Sequence, residues 1–399
     1  MRSCASDLWC FSCGASYAVT KHRLRCGCGM PLEQRYQLKE ADQEAVAPPS
    51  PAAGLGIWRF SNLLPSMDPQ RRLSLGEGDT PLIRCQRFAE AQGIDLWVKD
   101  ESRNPTGTFK ARGAAVAISK LRSLGWHRLR IETIGNAGSA WSAYAARAGM
   151  DIVVTLPQHP PVPEVGLLEP PWYGAQVVVS DEATVPPDDA SDEVCVNAFA
   201  EPYRIEGEKT ILYEVVEQLG GDVPNHIVWP TGGGVGLVGL AKAYEELREL
   251  GRVPTHNAMS IVAAQHAGEA PLSLALRSGK ALPPVSELGH GIAPGVWPSD
   301  RSPDAYIVNR VRSVTDSCGA AVGDSEIVAV MARMATTEGL LLGPEGAVAV
   351  AAVSALQQEG IIHRGDQVVC VNTSSALRYP HLLKRYGTTV GPRDQTPAH

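Results

Sequence analysis

From residue 57 onward the chain alternates between two kinds of apolar pattern. Short runs rich in valine, isoleucine and tryptophan fall at 96–99, 151–155, 176–179, 227–229, 260–263 and 367–371. Longer runs with apolar positions at helical spacing fall at 111–124, 139–148, 210–219, 237–250, 325–337 and 346–359. The first kind predicts strands and the second predicts helices. Strands that alternate with helices imply βαβ units, so the expected class is α/β with parallel sheets. Ligands of such folds bind at the carboxyl ends of strands, beside helix N-termini.

Ahead of residue 57 the pattern changes. Residues 1–35 read as a separate small module with two cysteine pairs, Cys10-x-x-Cys13 and Cys26-x-Cys28, each followed by glycine. Two such knuckles aim four thiolates at one metal, and tetrahedral zinc fits, although two intervening residues are commoner than the one in the second pair. A closed site of this kind is structural, not catalytic. The plainer alternative is four reduced thiols, and a redox dithiol is disfavoured because no βαβ pattern follows Cys13. Residues 36–56 read as a polar, proline-rich linker, and 391–399 as a frayed tail.

Bulk properties narrow the function. A chain of 399 residues with 44% apolar content can bury a sizeable core and is long enough for two or three domains. Its net charge of −7 gives no support to nucleic-acid or anionic-membrane binding. The only basic cluster in the N-terminal module is Lys21, Arg23 and Arg25, a poor DNA-binding surface. No run approaches the roughly 20 apolar residues of a membrane span. Residues 1–10 hold no apolar signal core, so a cytoplasmic location is expected. Nine cysteines, an odd number, argue against a disulfide framework. Cys370 lies within an apolar run and reads as a buried small hydrophobe.

Four segments carry candidate chemistry. In Asn104-Pro-Thr-Gly-Thr-Phe-Lys110-Ala-Arg-Gly113, a lysine opens an alanine-rich helical run. The positive end of a helix dipole helps keep such an amine neutral and nucleophilic. Neutral lysine forms Schiff bases with aldehydes, of which pyridoxal phosphate is the common biological one. An exposed lysine at a helix start is the bland alternative. Thr133-Ile-Gly-Asn136-Ala-Gly-Ser139 opens the next helical run; alone it would be a turn. Thr231-Gly-Gly-Gly-Val-Gly236 joins a strand to a helix and exposes backbone N–H groups to a phosphate, although by itself it suits a nucleotide equally. The fourth segment, Val371-Asn-Thr-Ser-Ser-Ala-Leu-Arg-Tyr379, follows the strand at 367–371.

Together these segments resemble the threonine synthase family of pyridoxal-phosphate enzymes, of fold type II. Gly76-Glu-Gly-Asp-Thr-Pro81, Pro202-Tyr-Arg-Ile-Glu-Gly207 and Gly343-Pro-Glu-Gly346 extend the likeness over nearly the whole chain. The resemblance implies two parallel-sheet α/β domains plus the N-terminal zinc-ribbon-like module. The large, cofactor-binding domain would take residues 57–105 and 206–390, and the small, substrate-capping domain residues 106–205. It implies a Schiff base on Lys110, with Asn136 at the cofactor's phenolic oxygen. Gly232, Gly233, Gly234, Val235 and Gly236 would hold its phosphate, and the Thr373 hydroxyl its ring nitrogen. Thr133, Gly135 and Ala137 would receive the substrate carboxylate, with Arg112 and Lys209 as further substrate-binding residues. The implied reaction is conversion of O-phosphohomoserine to threonine and phosphate. A homodimer is the family expectation.

Departures keep other substrates open. No Lys or Arg occurs from Ala148 to Tyr203, where a phosphorylated substrate would want cations. The cations left are Lys99, Arg103, Arg112, Arg147, Arg204 and Lys209, with His159 as a helper. Ser374, Ala376 and Arg378 stand where the family pattern has Gly, Gly and Lys, and Ala111 replaces an aspartate found in many relatives. Elimination or replacement at the β-carbon of an activated serine or threonine is therefore the alternative reaction. A non-catalytic cofactor-binding protein is a second alternative.

Overall fold

The computed structural model describes residues 3–38, 56–158, 162–180, 192–253, 258–279, 291–298 and 303–387. The expected tail at 391–399, His159 and most of the expected linker (39–55) lie outside the described residues. Among the described residues thirteen strands, β1 to β13, follow one another in chain order. Ala5–Trp9 (β1), Ser16–Tyr17 (β2) and Glu33–Tyr36 (β3) form an antiparallel sheet of order β2-β1-β3. Leu82–Arg84 (β4), Asp95–Asp100 (β5), His226–Pro230 (β10), Ser260–His266 (β11), Ser317–Val322 (β12) and Gln367–Asn372 (β13) form a six-stranded sheet. Arg128–Glu132 (β6), Asp151–Leu156 (β7), Gln176–Val179 (β8) and Glu193–Cys195 (β9) form a four-stranded one.

The six-stranded sheet runs β12-β11-β10-β13-β5-β4 and is parallel except for the edge strand β4. Its central strands are apolar on both faces, as a sheet covered by helices requires. Alternation decides which side each residue serves. Ile227, Trp229, Ile261, Ala263 and Val369 pack against helices Thr210–Gln218, Val235–Glu249 and Asp304–Arg312. Val228, Val262, Val368 and Cys370 pack on the other face against Asp324–Glu338 and Pro344–Gln358. Cys370 is 0% exposed.

The four-stranded sheet has order β8-β7-β6-β9 and is wholly parallel. Leu129, Ile131, Ile152, Val154 and Val194 pack beneath helices Lys110–Ser123 and Asn136–Ala148. The first of these helices is buried almost all round, which its alanine content allows. It also crosses the short helix Arg204–Glu208 at very close range. A Cβ at Gly207 would stand 2.0 Å from the Arg112 carbonyl oxygen, so only glycine fits that crossing.

Strands β4, β6, β9 and β12 go beyond the apolar pattern. β6 (Arg-Leu-Arg-Ile-Glu) interleaves charge with only two apolar residues, and β12 is built mostly from small ones. Helix Glu164–Trp172 contains Pro170 and Pro171, ordinarily breakers. Helix Val235–Glu249 begins two residues before the expected 237, because the end of the glycine loop is already helical.

The N-terminal sheet is seated firmly on the body. Glu33 accepts hydrogen bonds from Tyr306 Oη (2.8 Å) and Arg310 Nε (3.0 Å), both buried. Lys242 Nζ donates to the Gln34 carbonyl at 2.6 Å, and Tyr36 Oη donates to Glu206 Oε2 at 2.6 Å. The Sγ atoms of Cys10, Cys13, Cys26 and Cys28 all lie within 4.8 Å of one another, with Cys10 and Cys26 buried and the other two exposed.

Candidate active site

A cavity of about 450 Å³ opens where the carboxyl ends of the two parallel sheets face each other. Lys110, the first residue of its helix, lines it. Its side chain is 22% exposed, and Nζ lies 3.5 Å from Glu208 Oε1 and 4.0 Å from the centre of the Phe109 ring. Burial pushes the amine below the ordinary lysine range and Arg204 adds to that, while Glu208 opposes it. A fraction of neutral amine is thereby favoured, as a nucleophilic lysine needs.

The large-sheet wall is built from strand ends and the helices that follow them. Gly232, Gly233, Gly234, Val235 and Gly236 all line the cavity between β10 and helix Val235–Glu249. Gly234 caps that helix at φ 78°, a left-handed conformation that suits glycine. A Cβ at Gly236 would sit 2.1 Å from the Trp229 ring, so the loop can hug the cavity only without side chains. Thr373, 4% exposed, follows β13 and lines the same wall. Its carbonyl accepts the Phe109 N–H at 3.0 Å, which ties this element to the lysine turn.

Asn136 begins its helix and also lines the cavity. Its Nδ2 donates to Tyr379 Oη at 3.0 Å, and its Oδ1 accepts from Arg378 Nε at 2.6 Å. Tyr379 Oη donates to Glu345 Oε1 at 2.7 Å. Burial and the Glu345 carboxylate push the Tyr379 hydroxyl well above the usual tyrosine range, so it stays protonated. Thr133 and Ala137 line the cavity on either side of Asn136, whereas Gly135 turns the chain behind them, its N–H donating to Thr133 Oγ1 at 3.2 Å.

The small-sheet wall gathers one polar side chain from the carboxyl end of each strand: Glu132 from β6, Thr155 from β7, Ser180 after β8 and Asn197 after β9. Asn197 is clamped to Glu132, accepting its N–H at 2.7 Å and donating to its Oε2 at 3.1 Å. Among the described residues the cations lining the cavity are Lys110 and Arg204. Arg204 donates to the Val196 carbonyl and stacks 4.6 Å over the Trp141 ring.

Besides Gly135, the two expected substrate-binding cations do not reach this cavity. Arg112 is 0% exposed and grips Glu101 (2.6 and 2.8 Å) and Glu214 (2.7 and 2.7 Å), with Thr80 and Thr210 filling its remaining donors. Burial would raise the Glu214 carboxyl, but Arg112 and Lys99 hold it well below the usual range. Lys209, also 0% exposed, is bound by Glu206 (2.6 Å) and Glu246 (2.9 Å) and lies 4.0 Å over the Tyr36 ring. In both cases buried carboxylates, Glu101 and Glu214 for Arg112 and Glu206 and Glu246 for Lys209, capture the cation and turn it inward. Glu208, Glu345, Tyr379 and Glu132 are the site residues that sequence reasoning missed. Glu345 and Tyr379 left a trace, in the Gly343-Pro-Glu-Gly346 motif and at the end of the 371–379 segment.

Residues 73–374 match the family described as pyridoxal-phosphate dependent enzyme. The threonine synthase of Methanocaldococcus jannaschii is 31% identical over 395 residues, covering 94% of each chain. That of Methanosarcina acetivorans is 30% identical over 398 residues, 94% of this chain and 93% of the relative. Among solved structures, diaminopropionate ammonia lyase from Escherichia coli superposes with a TM-score of 0.64 at 17% identity, covering 81% of this chain and 91% of that one. Maize serine racemase gives 0.62 at 21% identity, covering 78% and 92%. These two show a shared fold. The chain belongs to the pyridoxal-phosphate dependent enzyme family, and its threonine synthase relatives place it among the lyases. The cavity fits that cofactor: it is lined by a lysine with a lowered proton affinity and by a loop whose Gly232, Gly234 and Gly236 leave no room for a Cβ.

Proposed function

We propose that this family member removes a leaving group from the side chain of an α-amino acid, as threonine synthase does with O-phosphohomoserine. The observation that carries the reading is the convergence of Lys110, Asn136, the 232–236 loop and Thr373 on one cavity. Pyridoxal phosphate bound there would supply an electron sink for a carbanion at the substrate α-carbon. Lys110 would hold the cofactor and afterwards move protons at the α and β carbons, with the Glu208 carboxylate 3.5 Å from its amine to steady the charged form. The amides of residues 232–236 and the start of their helix favour the cofactor phosphate. Asn136 would offer an N–H to the phenolic oxygen. Thr373 would offer a neutral hydroxyl to the ring nitrogen, which favours elimination and replacement over transamination. Thr133 and Ala137, at the start of helix Asn136–Ala148, would receive the substrate carboxylate.

The four cysteines of the N-terminal module, whose Sγ atoms lie within 4.8 Å of one another, would hold a structural zinc ion as a closed thiolate site.

A second reading is elimination or replacement at the β-carbon of an activated serine or threonine. The small-sheet wall favours it: Glu132, Thr155, Ser180 and Asn197 bring a carboxylate and neutral groups to the place where a phosphate dianion would want cations. One experiment separates the two. Cofactor-loaded enzyme is given O-phosphohomoserine, L-serine and L-threonine in turn, and phosphate, threonine and 2-oxo acid are measured. Phosphate with threonine supports the first reading. Oxo acid from serine or threonine, without phosphate release, rejects it in favour of the second.

A further inference from the structure

We infer that Arg378 is a positioning residue that decides which end of the Asn136 amide faces the cavity. Donor and acceptor chemistry settles the orientation. A guanidinium can only donate. Arg378 Nε stands 2.6 Å from one end of the Asn136 amide, which must therefore be its carbonyl oxygen. The opposite end faces Tyr379 Oη at 3.0 Å. The proton of that hydroxyl is committed to Glu345 Oε1 at 2.7 Å, leaving its oxygen as an acceptor for the amide NH₂. Glu345 is itself held by the Gly295 N–H at 2.9 Å and by Ser374 Oγ at 2.8 Å. Two consecutive residues, Arg378 as donor and Tyr379 as acceptor, thus demand the same amide orientation, and the second N–H of Asn136 remains to serve the cavity.

Arg378 is fixed for this task. Its Nη1 donates to the Thr106 carbonyl (2.6 Å) and to Glu169 Oε2 (2.8 Å), and its Nη2 to Ser139 Oγ (2.9 Å). It is absent from the residues that line the cavity, so it acts through Asn136. A flipped amide would turn carbonyl lone pairs toward the anionic phenolic oxygen of the cofactor. A lysine at 378 carries three donors on one point and cannot span the four acceptors that the guanidinium fork reaches. The inference rests on the family's cofactor and is independent of which substrate reading holds.

The test is a double-mutant cycle on cofactor retention. Holoenzymes of wild type, Arg378→Ala, Arg378→Lys, Asn136→Ala and the Arg378→Ala/Asn136→Ala double variant are dialysed, and bound cofactor is read from its absorbance band. Each alanine variant is expected to weaken retention about tenfold, the size of one lost hydrogen bond to a charged group. The double variant should be no weaker than Asn136→Ala alone, because the effect of Arg378 passes through that amide. Arg378→Lys, which keeps the charge beside Glu169, should fall between wild type and Arg378→Ala. A further full tenfold loss in the double variant, or wild-type retention in Arg378→Lys, overturns the inference.

Discussion

On its large-sheet side the cavity is walled by glycine-loop backbone, Thr373 and the hydrogen-bonded pair Tyr379 and Glu345. On its small-sheet side it is walled by Glu132, Thr155, Ser180 and Asn197, one from the end of each strand. The first wall offers amides and neutral hydroxyls, which suit a phosphorylated, aromatic cofactor, and its Glu345 carboxylate is taken up by Tyr379, Gly295 and Ser374. The second wall contributes a carboxylate, and Arg204 nearby is already engaged by the Val196 carbonyl and the Trp141 ring. On the proposed reading the cofactor meets the first wall and the substrate the second, and membership of a cofactor family does not by itself fix the substrate.

Lys110 stands where the walls meet, and its removal should have the largest effect. Lys110→Ala is expected to lower turnover of any accepted substrate by about 10⁴-fold, since proton transfer and cofactor anchoring are lost together. Steady-state kinetics of the cofactor-loaded variant check this, and retention of a tenth of the activity would contradict it. Gly236→Ala probes the first wall alone. Its Cβ would press on the Trp229 ring, a strain of about 1–3 kcal/mol. Cofactor affinity should fall at least about fivefold on that scale, with the ratio of kcat/KM between competing substrates unchanged. An altered ratio would show that the walls do not act separately.

Glu132→Gln is the matching probe of the second wall. Removing one negative charge should raise kcat/KM for a phosphorylated substrate about fivefold, the effect of roughly 1 kcal/mol of screened repulsion, without changing cofactor affinity. The smallest effect is a shift in pH dependence. Burial and Arg204 lower the proton affinity of Lys110, and Glu208 raises it. Lys110 should thus become neutral as pH rises through a value below the usual lysine pKa of about 10.4, and cofactor capture should rise with it. Glu208→Gln deletes the opposing influence and should move that rise to lower pH. Stopped-flow capture rates by apoenzyme would show it, and movement to higher pH would count against the assignment.

The same division explains what the amino-acid order revealed. Lys110, Asn136, the 232–236 loop and Thr373 sit in local strand-to-helix turns, where a few neighbouring residues dictate the shape. The alternation of strand and helix runs is equally local and implies parallel pairing, while the division into two sheets follows only from the family resemblance. Contacts such as Lys110 with Glu208, 98 residues away, or Asn136 with Tyr379, 243 residues away, have no local signature. Arg112 and Lys209 show the cost of that blindness. Both looked like cations free for a substrate; Glu206 lies only three residues before Lys209, but Glu101, Glu214 and Glu246 reach the two cations only through the fold. The small-sheet wall was illegible for the same reason, since its four residues come from four separate strands and are joined only by sheet topology.

The central claim is that Lys110 carries the cofactor in this cavity. Borohydride reduction of the holoenzyme, followed by proteolysis and mass spectrometry of the labelled peptide, tests it most directly. The account predicts one reduced pyridoxyl adduct, on Lys110. An adduct on another lysine, or none in enzyme that shows the cofactor's absorbance, would contradict it.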